Sequence, residues 1–289
     1  MAEWWEGFWA TYNTVVYGIG VNALLALSIY LTLSCGLLSL ANAAFMGIGA
    51  YAASLISMQT GLPFPLALAA GAVAPALMAL LIGMPTLRLS GVYLAMATLG
   101  FGEVVRVSII NLGFTGGPMG LNGIPQYTTF WYVAIILLAT LYCLARLRRS
   151  KVGRAFEAIK EDEIAARLMG VNVERYKLLA FVLGAAIAGL AGGLNAHYTF
   201  TIGPNNYGFE NAVDILTMAV FGGTSNLIGP TAGAAILTLL PEVLRELKNF
   251  RLAVNGLILI LVILYLPKGL WDPRRIRAFW QQRQAGKVA

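Results

Sequence analysis

Of 289 residues, 58% are hydrophobic and 11% charged, against about 25% charged in an ordinary soluble domain. A soluble core cannot hide that much apolar surface, so the composition excludes a water-soluble globular protein and makes a bilayer the solvent. The formal charge of +7 does not point to nucleic acid, because most basic residues cluster in two stretches beside apolar runs, where they set topology. The two cysteines, Cys35 and Cys143, are far apart and have no metal-ligand spacing, so they read as packing residues.

The chain begins MAEWWEGFWATYN, with no basic residue ahead of an apolar core, so this stretch is not expected to be a secretory signal. Trp4, Trp5, Phe8, Trp9 and Tyr12 read instead as an aromatic belt at a membrane surface. About nine apolar segments follow, near residues 14–34, 43–58, 64–84, 91–110, 130–145, 176–198, 212–221, 228–244 and 252–266. Most approach the roughly 20 residues that a helix needs to cross the hydrocarbon. The expected fold is therefore an all-α integral membrane protein, one transmembrane domain over residues 1–289. The seventh segment is short and the second begins in the glycine-containing mix GLLSLANAAFMGIGAY, which suits broken or re-entrant helices lining a covered cavity.

Orientation follows from Lys and Arg. The stretch from Arg146 to Lys177 holds nine basic residues, and the tail over 268–289 is also basic. Both are expected in the cytoplasm, with four spans between them and the N-terminus outside. The loop from Asn111 to Thr129 carries no charge and falls outside. Arg245, Lys248 and Arg251 argue weakly against this scheme, accompanied by Glu242 and Glu246.

Small residues recur at packing spacing: Gly184, Ala188 and Gly192 in one register, Ala185, Gly189 and Gly193 in the next. Such a face lets helices approach closely, either within the chain or against a second subunit. Glu103 and Arg106 stand three apart in the fourth segment, and Asp214 stands in the seventh. Intramembrane charges pair structurally or mark a pathway. Candidates for a pathway are Asn42, Glu103, Arg106, Thr115, Gly116, Gly117 and Asp214; close packing and an ordinary turn are the alternatives for Asn42 and for the Thr115–Gly117 group. His197, at the end of the sixth segment, reads as an interfacial group.

The most charged stretch is AIKEDEIAARLMGVNVERYKL, Ala158 to Leu178. Acids lead and Arg167 follows, as a helix dipole favours. Ile164 and Leu168, then Ala165 and Met169, form a narrow apolar stripe, and Gly170 stands where a left-handed turn ends a helix. The spacing predicts a short amphipathic helix over about Glu161 to Met169, in a cytoplasmic loop over 148–175. Three leading acids and two alanines suit a knob entering a protein groove better than a helix lying on lipid.

The run from Gly153 to Leu194, GRAFEAIKEDEIAARLMGVNVERYKLLAFVLGAAIAGLAGGL, resembles the loop and following helix of the LivM-type permeases, membrane subunits of ABC importers for branched-chain amino acids. SLANAAFMGIGAY, TLGFGEVVR, TGGPMGLNGIP and VFGGTSNLIGPTAGAAIL resemble that family too. The resemblance implies a LivH-like partner permease, two cytoplasmic ABC ATPases holding ATP and magnesium, a periplasmic binding protein and a bacterial inner-membrane location. It places the ATPase-coupling helix over Glu163, Ala165, Ala166, Leu168 and Gly170. The importer pattern is EAA, three residues, then Gly; here Ile164 takes the acid's place and Glu163 is shifted by one. The chain has no G-x-x-x-x-G-K-[ST] run, so ATP chemistry falls to other chains and no cofactor is expected on this one. The competing function is an ion-coupled secondary transporter, using Glu103 and Asp214 as coupling acids.

Overall fold

Where no water reaches the backbone, a peptide group must find its partner within the chain, and the apolar runs accordingly become helices. The computed structural model describes residues 2–224 and 226–243, with side chains for 13–224 and 226–240. The ninth apolar segment, Arg245, Lys248, Arg251 and the 268–289 tail lie outside the described residues. So do the side chains of Trp4, Trp5, Phe8, Trp9, Tyr12 and Glu242.

The helices in chain order are α1 (Ala2–Ser34), α2 (Asn42–Thr60), α3 (Phe64–Thr86), α4 (Val92–Asn111), α5 (Phe130–Arg149), α6 (Lys151–Glu161), α7 (Glu163–Leu168), α8 (Val173–Thr199), α9 (Phe209–Gly222) and α10 (Ile228–Val243). Among the described residues, five stretches are long and apolar enough to cross a membrane: Asn13–Ser34 within α1, and α3, α4, α5 and α8. Two short strands, β1 (Leu121–Asn122) and β2 (Thr201–Ile202), pair antiparallel and tie the α4–α5 connection to the α8–α9 connection.

Helix α2 is long enough to span but is not among those five. It is an interior helix, packed between α3 and α8, and buries Asn42, Ser54 and Ser57. A helix wrapped by protein needs small residues for close approach, not bulky residues for lipid. A Cβ at Gly49 would lie 2.3 Å from the Gly189 Cα and 2.6 Å from the Gly71 oxygen. One at Gly192 would lie 2.0 Å from the Met46 oxygen, and one at Gly184 would lie 3.0 Å from the Ser28 oxygen. Both small-residue registers of α8 are thus used inside the chain, against α1, α2 and α3. Around this seam, α3, α4 and α5 turn large apolar residues outward, among them Leu77, Leu81, Tyr93, Met96, Trp131 and Leu138.

Two helices begin inside the bundle. The Asn42 amide at the head of α2 donates to Ser28 Oγ at 2.7 Å, six residues before α1 ends, which is about 9 Å of helix rise. Close to that head, the turn leading to α9 presses Tyr207 onto Gly47, five residues into α2. Helix α9 has 14 residues, about 21 Å at 1.5 Å per residue, short of the roughly 30 Å hydrocarbon.

Candidate functional site

The charged stretch folds as two helices, not one. The expected helix over Glu161–Met169 is corrected: Glu161 closes α6, Asp162 is extended, and α7 runs over Glu163–Leu168. The physical reason is Asp162 itself. Its Oδ1 accepts from the backbone N–H of Ile164 at 2.8 Å and of Ala165 at 3.0 Å, which satisfies two donors that a helix start leaves open. Helix α6 is a buttress. Ser150 caps its start, and Phe156 and Ile159 pack with Leu27, Leu31, Cys35 and Leu144.

Helix α7 is held from below. Glu163 Oε2 accepts from Lys177 Nζ at 2.5 Å, and its Oε1 lies 3.5 Å from Arg167 Nη2. The Lys177 side chain is only 9% exposed. Beside this clamp, burial pushes the Cys35 thiol up to about 12, with the Lys177 ammonium pulling the other way. At its end, Gly170 N–H donates to the Arg167 oxygen and Val171 N–H to the Ala166 oxygen, both at 3.1 Å. Gly170 sits at φ +82°, which is cheap for glycine alone. These two bonds are a Schellman closure, and Val171 and buried Ala166 join the same apolar cluster. On the opposite side no described residue covers Ile164, Leu168 or Met169, which are 74%, 83% and 85% exposed. A six-residue helix is thus fixed by an acid cap, an ion pair and a glycine turn while showing its largest apolar residues to the outside.

The pathway candidates do not form one cluster. Glu103 and Arg106 do meet: Arg106 Nε donates to Glu103 Oε2 at 2.8 Å, and Nη1 donates to Asn205 Oδ1 at 3.2 Å. Thr115 is buried and its hydroxyl faces the Ile109 and Leu112 oxygens, closing the end of α4. Gly116 and Gly117 follow in left-handed turns, and a Cβ at Gly116 would lie 2.1 Å from the Gly120 oxygen. Asn42 is buried at the head of α2, and Asp214 is exposed on α9.

His197, read as an interfacial group, stands two residues before the end of α8 and is enclosed by protein. It is fully buried, with Nδ1 2.8 Å from the Gly193 oxygen and Nε2 2.8 Å from Ser57 Oγ, edge-on to Phe64. Its place is set by α2 and α3 folding over the end of α8, a contact across 140 positions with Ser57 that no local pattern announces. Lys177, read only as a topology charge, is the partner of Glu163. Asn205 and Tyr207, which meet α4 and α2, drew no attention in the sequence either. Asp162 carried a usable signal: an Asp directly before a helical repeat is a helix start.

Comparison with known proteins gives a consistent picture. The model of the family described as the permease component of branched-chain amino acid transport systems matches residues 12–266. The high-affinity branched-chain amino acid transport system permease protein LivM of Escherichia coli (strain K12) is 33% identical over 291 residues, 89% of this chain and 67% of that protein. The LivH permease protein of the same strain is 35% identical over 139 residues, 47% of this chain and 44% of its own. The ribose import permease protein RbsC of that strain is 27% identical over 268 residues, covering 84% and 81%. No solved structure matches.

Proposed function

The chain belongs to the permease family of branched-chain amino acid transport systems, and from that premise we propose that it carries branched-chain or related amino acids inward across a bacterial plasma membrane as one permease of an ATP-driven importer. It is a transport subunit and not an enzyme. A related LivH-like permease pairs with it, two cytoplasmic ATPases bind ATP and magnesium, and a periplasmic binding protein delivers the solute. The basic stretch over 146–177 faces the cytoplasm, as do the C-terminal residues, and the α4–α5 connection faces outward.

The observation that carries the coupling role is the bare apolar face of α7. Exposed Ile164, Leu168 and Met169 on a helix anchored by Glu163, Ala166 and Gly170 suit insertion into a groove of a partner. Ala165 lies on the same short helix. Anchoring matters as much as exposure, because a knob moves the bundle only if it is fixed to it. Here the fixing runs through Lys177 into α8 and through α6 onto α1 and α5.

The test is reconstitution of the chain in liposomes with the ATPases, partner permease and binding protein encoded beside it. Uptake of L-leucine that requires ATP inside is the expected result. Uptake by this chain alone, driven by an ion gradient without ATPases, would favour a secondary transporter instead.

A further inference from the structure

We propose that Glu103 and Arg106, together with the start of α9 and the apolar cleft beside them, form a subsite in which the zwitterionic head and aliphatic side chain of an α-amino acid rest during transit. The inference rests on the importer reading and adds to it a solute site on this chain. The pair holds the twelfth and fifteenth positions of the 20-residue α4, in its second half. Its side chains remain 39% and 29% exposed, respectively. An ion pair within a span is costly to turn toward hydrocarbon, so this face suits a watery path.

The chemistry around the pair is that of an amino acid in complement. The bonds to Glu103 and Asn205 use two of the five N–H donors of Arg106, which leaves donors for a carboxylate. Glu103 Oε1 accepts no bond from the described residues and suits an ammonium group. Helix α9 begins at Phe209, directly after Gly208, whose added Cβ would stand 3.5 Å from Arg106 Cδ and 3.9 Å from Glu103 Oε1. The start of this partly inserted helix therefore lies against the pair, with open N–H groups and the positive end of its dipole. Next to Glu103 is a cleft walled by Leu40, Ala43, Ala44, Leu99, Phe209 and Ala212, apolar as an aliphatic side chain requires. Tyr207 lines it as well; it is 2% exposed and its hydroxyl has no hydrogen-bond partner among the described residues. Such an orphaned group costs about 1–3 kcal/mol, and a polar ligand atom relieves it.

The cleft here has about 10 Å³ of room, enough for about one water molecule. This conformation is therefore closed to a solute side chain, which enters when α9 parts from α4. In the closed form Glu103 and Arg106 satisfy one another, so a ligand exchanges an existing pair for two new ones. Binding is weak for that reason, as transit requires, since a site that holds tightly does not release.

The intact importer complex without its binding protein, in lipid nanodiscs, is titrated with L-leucine, L-leucinamide and 4-methylpentanoate while thermal unfolding is followed. L-Leucine is expected to raise the unfolding temperature, and the analogues lacking the carboxylate or the amine are not. In the double variant Glu103→Gln/Arg106→Gln, which leaves no lone charge, the rise is expected to vanish while the membrane level of the chain and recovery of the ATPases on pull-down match the parent. Arg106→Lys keeps the charge and is expected to raise the half-saturating L-leucine concentration about tenfold, the worth of one charged hydrogen bond. No rise with L-leucine in the parent, an equal rise with L-leucinamide, or an unchanged response in either variant overturns the proposal. ATP-dependent L-leucine uptake by the parent reads the importer function separately: uptake without a thermal response sinks the subsite alone, and a response without uptake sinks the importer reading alone.

Discussion

The seam between α2, α3 and α8 and the helix α7 treat side-chain size in opposite ways. In the seam, glycine backbones touch: Gly49 lies against Gly189 and Gly71, and Gly192 against Met46. Nothing large fits at those glycines, and the bulky side chains of the seam, such as Phe45 and Phe181, pack beside them. On α7 the largest apolar residues stand outside, the parts that face inward are a small alanine and an acid, and an exposed left-handed glycine turns the chain just after it. The seam spends its sequence on being immobile. The short helix spends its sequence on holding a sticky surface in one orientation. An exposed Leu168 means little by itself; on an element pinned by Lys177, Asp162 and Gly170 it reads as a docking face.

The largest expected effect comes from filling the seam. In Gly192→Leu the new Cβ would stand 2.0 Å from the Met46 oxygen, against rigid backbone. Overpacking of that kind costs about 3 kcal/mol or more, so the chain is expected to disappear from membranes on immunoblotting. Gly100→Leu is the control, since no atom lies within 4 Å of a Cβ added at Gly100. Normal levels of Gly192→Leu would mean that α2 and α8 do not touch as described.

Leu168→Glu is expected to do the reverse. The residue is 83% exposed, so its effect on folding should stay within about 0.5 kcal/mol. A charge thrust into an apolar groove should nevertheless remove most ATPase recovery on pull-down and the ATP hydrolysis stimulated by loaded binding protein. Full recovery of the ATPases with Leu168→Glu would falsify the docking assignment.

These two regions were not equally legible in the sequence. The seam was written in it, since Gly184, Ala188 and Gly192 repeat at helical spacing and the apolar runs match α2 to α5 and α8 to α10 within a few residues, whereas α1 starts twelve residues ahead of its run. The exposed face of α7 was half legible. Ile164, Leu168 and Gly170 follow from spacing, but the break at Asp162 does not, because the helical pattern around it runs on past this single acid. Contacts between distant positions were beyond reach: Lys177 meets Glu163 across a turn, Asn205 meets Arg106 across 99 positions, and Ser57 meets His197 across 140. Each depends on how helices cross, which composition and period do not encode.

Lys177→Met sharpens the comparison at the joint between the two regions. Methionine replaces the buried stem but not the ammonium that lies 2.5 Å from Glu163. Glu163 is 40% exposed and keeps Arg167 at 3.5 Å, so water and a second cation soften the loss, and about 1 kcal/mol of stability is expected to go. Membrane levels should therefore hold, while stimulated ATP hydrolysis falls several-fold as α7 loosens. Glu163→Gln should act alike, and the double variant should be no worse than either single one. Losses that simply add would show that the pair transmits nothing.

The smallest effect is expected at Asp162. Its backbone is extended, at φ −155° and ψ 110°, and this one residue separates α6 from α7. Losing a helix cap costs about 1 kcal/mol, which is local here because both helices keep their other supports. Asp162→Ala removes the acceptor for Ile164 and Ala165 N–H and places a strong helix former at the corner. The two helices are then free to run on into one, which swings Leu168 away from its present direction. Membrane level and thermal unfolding should match the parent. Backbone amides of Ile164 and Ala165 should exchange hydrogen about fivefold faster, the equivalent of about 1 kcal/mol, and ATPase recovery should fall in part. Asp162→Asn retains a capping oxygen and should behave as the parent in all three measurements. If alanine and asparagine are indistinguishable in exchange and in recovery, the bend is imposed by packing of α6 and α7 on α8, and the cap only decorates it.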